Sequence, residues 1–164
     1  MNRERGLTIA NTNFKFLDEG AYGIVFVDRD DCRIIKVLAR KAGPEAHCAA
    51  VYESEAIAYS IAMKSDELRS LIPEYFGARK GLKIEDATGN DVTSEFYSEF
   101  NFELEFVLGT FVKMGQISGA VRDPVVLAFQ REGIAHMIDA SASLEGGRIT
   151  KVIDFGMQDL EQEW

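Results

Sequence analysis

A glycine-bearing turn followed by an apolar strand that ends in lysine can hold phosphate. Residues Leu17-Asp18-Glu19-Gly20-Ala21-Tyr22-Gly23-Ile24-Val25-Phe26 read as the turn and Arg33-Ile34-Ile35-Lys36 as the strand. Glycine leaves backbone amides open to close approach by an anion. Lys36, thirteen residues beyond Gly23, supplies the opposing charge. Glu55 follows nineteen residues later and shares a helical face with Val51, Ala58 and Ala62, at i−4, i+3 and i+7. An acid on a stripe of small apolar residues points inward and needs a cation, for which Lys36 is the candidate. Glu53 competes for that role, and the stripe favours Glu55. Farther on, Lys151-Val152-Ile153-Asp154-Phe155-Gly156 places an aspartate at the end of a β-branched run. The adjacent His47 and Cys48 cannot present a tetrahedral metal set, and Cys32 has no companion at ligand spacing, so both cysteines read as structural.

These side chains need a sheet and one long helix to position them. Phe14 to Asp18 and Gly23 to Asp28 alternate around the glycine turn, the pattern of a hairpin. Arg33 to Ala39 adds a third strand, giving an antiparallel meander. Pro44-Glu45 starts a helix that reads on to about Leu71, with Pro73 beyond it. Glu85 to Asp91 is a polar hairpin loop. Phe102 to Leu108 is the clearest period-two strand of the middle region. A helix is expected from Asp123-Pro124 to Arg131, then a loop through Ser143, a Gly146-Gly147 turn and a last strand from Ile149 to Ile153. Five or six strands around one long helix, with a small helical appendix, is an α+β arrangement.

Composition narrows the classes. At 164 residues, 46% hydrophobic and 27% charged with three prolines, the chain is long enough to bury its own core and too apolar for disorder. No stretch approaches the ~18 uninterrupted apolar residues of a membrane span. The opening residues lack the apolar run of a secretory signal, so a cytoplasmic location is the default expectation. Net charge is −9, and residues beyond position 50 carry ten Lys/Arg against twenty Asp/Glu. Such a surface disfavours nucleic acid and anionic membranes and suits a basic protein partner, although solubility alone also accounts for it.

Taken together, the glycine turn, the strand lysine, the helix glutamate and Asp154-Phe155-Gly156 resemble the protein-kinase-like superfamily, over residues 14 to 156. In that family the glycine loop covers the ATP phosphates, the lysine contacts them, the glutamate holds the lysine and the aspartate binds magnesium. The resemblance implies ATP and Mg2+ as ligands. It implies Gly20, Ala21, Tyr22, Gly23, Val25, Lys36 and Glu55 as nucleotide-binding residues, and Asp154 as the metal ligand. Leu104-Glu105-Phe106-Val107-Leu108-Gly109-Thr110 resembles the hinge, which implies Leu104 behind the adenine and backbone contacts from Glu105 and Val107. The implied fold is a kinase-like N-lobe and hinge over 1–109, with a five- to six-stranded antiparallel sheet and one long helix, and a reduced helical C-lobe remnant over 110–164. Asp18 stands where the family has its first glycine, and a carboxylate beside phosphate is unfavourable unless it points away or meets a metal.

The catalytic loop departs further. Aligning Gly133 to Ser143 on His136 puts Ile138 at the position of the base and Ser143 at that of the family's asparagine. Counting back from Asp154 instead puts His136 and Ser141 there. A one-residue bulge would bring Asp139 into place, and no alignment supplies an asparagine. Ser141 is then a weak magnesium ligand. Only ten residues follow Asp154, without the family's activation segment, and Met157 to Trp164 reads as a short terminal helix. Three readings follow: a pseudokinase that binds ATP and Mg2+ and acts by binding or regulating another protein; an active compact phosphotransferase with Asp139, or His136, as base; and a nucleotide-free acidic scaffold.

Overall fold

The computed structural model describes residues 6–157. In chain order they form β1 (Thr8–Ile9), β2 (Lys15–Glu19), β3 (Gly23–Asp28), β4 (Arg33–Ala39), α1 (Glu45–Lys64), α2 (Asp66–Arg69), β5 (Tyr75–Gly77), β6 (Ile84–Glu85), β7 (Phe96–Glu105), β8 (Phe111–Lys113), α3 (Gly119–Arg131), β9 (Ser141–Glu145) and β10 (Arg148–Ile153). This is an α+β arrangement with antiparallel strand pairing. No helix among the described residues is long and apolar enough to cross a membrane. By contact the chain divides into two units: 1–52 with 76–106, and 53–75 with 107–164. The expectation of one boundary after residue 109 differs from this division, because residues 53–75 associate with the C-terminal segment.

The first unit is built on a seven-stranded sheet in the order β5-β7-β4-β3-β2-β1-β6. Side chains alternate across a strand, so one face of β3 and β4 carries Ile24, Phe26, Ile35 and Val37, all at most 1% exposed. They pack with Leu7, Ile9, Phe14, Leu82, Ile84, Val92 and Phe96 in a single cluster. Burying each of the larger side chains contributes about 1.5–3 kcal/mol. On the same face Glu103 is 6% exposed and held by two guanidiniums, Arg33 Nη1 at 2.8 Å and Arg79 Nη2 at 3.0 Å. Those groups also lie over aromatic rings, Arg33 over Phe76 and Arg79 over Phe14.

In the second unit, β10, β9 and β8 form a three-stranded sheet in that order. Val152 N–H donates to Leu71 O at 2.7 Å, and Lys151 Nζ donates to the carbonyls of Ser70 and Ile72, each at 3.2 Å. Tyr59, Phe155 and Phe129 pack at tilted angles in its interior, with ring centroids 4.4 Å and 5.0 Å apart. The Gly146-Gly147 turn between β9 and β10 has φ of 59° and 76°, values that favour glycine at both positions.

Several elements differ from the sequence expectation for identifiable reasons. The first helix stops at Lys64 rather than near Leu71. Ser65 is extended and its side chain accepts the Leu68 N–H, capping the separate α2. Helix α3 begins four residues before Asp123, leaving Pro124 in its second turn, and ends where Gly133 turns left-handed at φ 84°. β7 runs from Phe96 and ends at Glu105; beyond it Leu108 is 76% exposed and Gly109 departs from strand geometry. The expected loop through Ser143 is in part a strand, because Ala142 of β9 pairs with both Val112 and Val152 and is fully buried. Beyond Met157, the expected terminal helix lies outside the described residues.

Candidate functional site

In the first unit the glycine turn joins β2 to β3, with Gly20 N–H donating to Gly23 O at 2.8 Å. The two glycines are not equivalent. A Cβ on Gly23 would lie 2.0 Å from Val37 O and 2.9 Å from Leu38 Cα, whereas one on Gly20 would meet nothing nearer than 3.9 Å. Gly23 is therefore demanded by the approach of β3 to β4, and Gly20 is not demanded by packing. Ala21 is exposed at the tip. Tyr22 turns back onto the body: its carbonyl accepts the Ala39 N–H at 2.9 Å, its ring packs with Leu38, Cys48 and Tyr97, and its hydroxyl lies 3.4 Å from His47 Nε2.

Residues paired across antiparallel strands project from the same face. Asp18 pairs with Val25, Val25 with Lys36 and Lys36 with Phe102, which sets these four in one row. Ile34 and Leu104 form the neighbouring pair on the same face. Lys36 therefore rises from an apolar floor of Val25, Ile34, Phe102 and Leu104, on the face opposite the core cluster, with Nζ 6.0 Å from the Phe102 ring centre. Asp18 is exposed, and its carboxylate accepts the Glu19 N–H at 2.8 Å. Glu105 ends β7 opposite Arg33, and the next amide, Phe106 N–H, is taken by Cys32 O. Val107 belongs to the second unit and is half-buried.

The second unit gathers the carboxylates. On α1, Glu55 is half-buried while Glu53 is exposed, and Val51, Ala58 and Ala62 of the expected stripe are buried. Asp154 follows β10 with φ 61°, a left-handed conformation that costs a non-glycine residue about 1–2 kcal/mol. It is exposed, whereas Phe155 beside it is fully buried. Gly156 exchanges two backbone hydrogen bonds with His136, at 3.0 and 3.1 Å, so the segment after Asp154 is tied to the start of the loop that leads into β9. His136 Nε2 lies 3.5 Å from Asp139 Oδ2. Ile138 is 68% exposed and Ser141, at 8%, lies in β9 opposite Ile153.

Tyr59, one helical turn beyond Glu55, stands between these groups and was not among the sequence candidates. Its spacing of four from Glu55 is the signal that could have found it. Burial pushes its phenol well above the usual tyrosine range; the charges of Asp154 and Glu55 push it further, and the amide of Asp154 acts the other way. Ser54 is buried and accepts the Met157 N–H at 2.9 Å.

Among the described residues no three His, Cys, Asp or Glu side chains converge as a metal cluster. A magnesium ion does not require one, since it is commonly held by one or two carboxylates together with substrate phosphates and water. The groups present are thus a lysine on an apolar floor in one unit and an exposed, conformationally fixed aspartate in the other. No protein-family model matches the chain and no curated protein matches it, which leaves these residues themselves as the ground for a functional reading.

Proposed function

We propose that this chain is a kinase-like nucleotide-binding protein that acts by binding or regulating another protein. The observation that carries the reading is Asp154, an exposed carboxylate kept in a left-handed backbone conformation between a strand and a fully buried phenylalanine. Strain of this kind persists where surrounding structure enforces it, and it collects at functional sites. Each unit by itself offers groups of suitable chemistry: in the first, Lys36 for phosphate above the flat apolar floor of Val25, Ile34 and Leu104; in the second, Asp154 for a hard cation, with Ser141 as a weaker oxygen donor. The absence of an asparagine from the loop and the placement of Ser141 in a strand favour a pseudokinase over an enzyme. The excess of acidic residues beyond position 50 supports a basic protein partner.

The test is calorimetric titration of ATP with and without Mg2+. Magnesium-dependent binding should weaken by ten- to a hundredfold in Lys36→Ala, the loss of one or two charge-assisted contacts, and Asp154→Asn should remove the magnesium dependence. No binding at millimolar ATP would overturn the reading and leave a protein-binding scaffold.

A second reading is a compact phosphotransferase using Asp139 as base. The contact of Asp139 with His136, itself bridged to Gly156, favours it by tying that carboxylate to the Asp-Phe-Gly segment. Asp139→Asn separates the two, abolishing phosphate transfer in an enzyme and leaving a pseudokinase unchanged.

A further inference from the structure

Ser54 lies in the middle of a 20-residue helix and is 7% exposed. Alanine would suit α1 better at such a position, because a buried hydroxyl must be desolvated and serine favours caps and turns over helix interiors. The hydroxyl has a distant partner: it accepts the Met157 N–H at 2.9 Å, across 103 residues of chain. That bond lands three residues past Asp154. Ile153 pairs with Ser141 and Gly156 with His136, so two residues, Asp154 and Phe155, span what four residues, Met137 to Ala140, span on the facing side. Phe155 is fully buried against Tyr59 and Phe129. With one neighbour in the strand and the other in the interior, the change of direction falls on Asp154, at φ 61°. Such a bend persists only while the chain on both sides of it is held. Beyond it the holds are Gly156, bonded to His136, and Met157, bonded to Ser54.

We propose that Ser54 is a positioning residue: its hydroxyl pins the backbone beyond Asp154 to helix α1 and so keeps the Asp154 carboxylate exposed on a left-handed backbone. The consequence for a metal rests on the nucleotide-binding reading above; the hold on the backbone does not. Ser54→Ala removes only the oxygen, and Ser54→Thr keeps an acceptor hydroxyl at the same place on the helix.

Two measurements on the intact chain test it. The first is NMR of the nucleotide-free protein. In the parent the Met157 amide should be protected from hydrogen exchange, and Asp154 should give the strong intraresidue HN–Hα NOE of a positive φ. In Ser54→Ala the Met157 amide should exchange about tenfold faster and that NOE should weaken, while the Val152 amide, bonded to Leu71 O, should not change. Ser54→Thr should restore the parent pattern. An unprotected Met157 amide in the parent, which needs no variant to observe, overturns the clamp; so does an unchanged Asp154 NOE in Ser54→Ala, or equal acceleration at Val152. The second is the Mg2+ concentration needed for half-maximal ATP binding. It should rise about tenfold in Ser54→Ala while Mg2+-free ATP affinity stays the same, and return in Ser54→Thr; an unchanged midpoint, or equal loss in both conditions, overturns the positioning role. A parent chain that binds no nucleotide removes the functional reading, and the NMR comparison still decides the clamp.

Discussion

Gly20 and Gly23 look alike in the sequence, and the structure separates them so clearly that alanine at each position should fail in a different assay. In Gly23→Ala the new methyl would lie 2.0 Å from Val37 O and 2.8 Å from Val37 C, both backbone atoms of β4 beneath buried side chains. No rotamer relieves a Cβ, so the end of β3 must lift from β4. That strains the Gly23–Leu38 pairing and the bond from Ala39 N–H to Tyr22 O. Overpacking costs about 1–3 kcal/mol and a lost hydrogen bond about 0.5–1.5 kcal/mol, so about 3 kcal/mol is expected. For a chain of this length that is a fall in melting temperature of about 6–12 °C. Gly20→Ala meets nothing nearer than 3.9 Å, and Gly20 does not sit in the left-handed region. Its stability should stay within about 1 kcal/mol of the parent, on the stabilising side through a less flexible unfolded chain. On the nucleotide-binding reading proposed above, ATP affinity should nevertheless fall in Gly20→Ala, because the methyl would stand at the turn amides to which that reading brings the phosphates. Thermal denaturation by circular dichroism without nucleotide, followed by ATP titration of each variant, makes the comparison. The reasoning is refuted if Gly20→Ala melts as early as Gly23→Ala, or if Gly23→Ala melts within about 2 °C of the parent.

Two further outcomes follow from the geometry. Glu103→Gln leaves Arg33 and Arg79 without their shared anion, but both guanidiniums are more than a third exposed and regain water, so the loss should be about 1–3 kcal/mol. Arg33→Ala, which leaves Glu103 paired with Arg79, should lose less than Glu103→Gln; urea denaturation that ranks them the other way would contradict the assignment. The phenol of Tyr59 titrates above its unfolded range near pH 10, so above that pH the unfolded chain releases a proton that the native state keeps. Its contribution to stability is level below about pH 9 and then falls by about 1.4 kcal/mol per pH unit. Tyr59→Phe should remove that increment from the alkaline slope, and identical slopes for parent and variant between about pH 9.5 and 11 would count against it.

How much of the fold was legible depended on element length. The meander of β2, β3 and β4 could be read because its strands run over five to seven residues around a glycine turn, and β4 occupies Arg33–Ala39 as expected. β1, β5 and β6 are two or three residues long, too short for any period to register. The loop at Asp86 was legible through its chemistry: the Asp86 carboxylate accepts the Thr88 and Asn90 amides, the local bonding that polar turns favour. β9 was not legible, since Ser141-Ala142-Ser143 is small and polar by composition and becomes a strand only because partners lie on both sides of it.

The loop from Gly133 to Ser143 shows why spacing alone could not settle the site. Three alignments compete in the sequence because each assumes a fixed distance from His136 or from Asp154. In the structure both ends are pinned by backbone pairing instead: His136 to Gly156 at one end, Ser141 to Ile153 at the other. Between those anchors only Met137, Ile138, Asp139 and Ala140 remain. Met137 and Ala140 are buried and Ile138 has no ionisable group, so the one carboxylate the turn can offer is Asp139, partly exposed and 3.5 Å from His136. Acid–base chemistry at this turn, if the chain performs any, falls to that pair. Ser141 is committed to a strand and is 8% exposed, which limits what its hydroxyl could offer a metal. On the nucleotide-binding reading proposed above, magnesium would therefore fall to Asp154, the residue with the left-handed backbone.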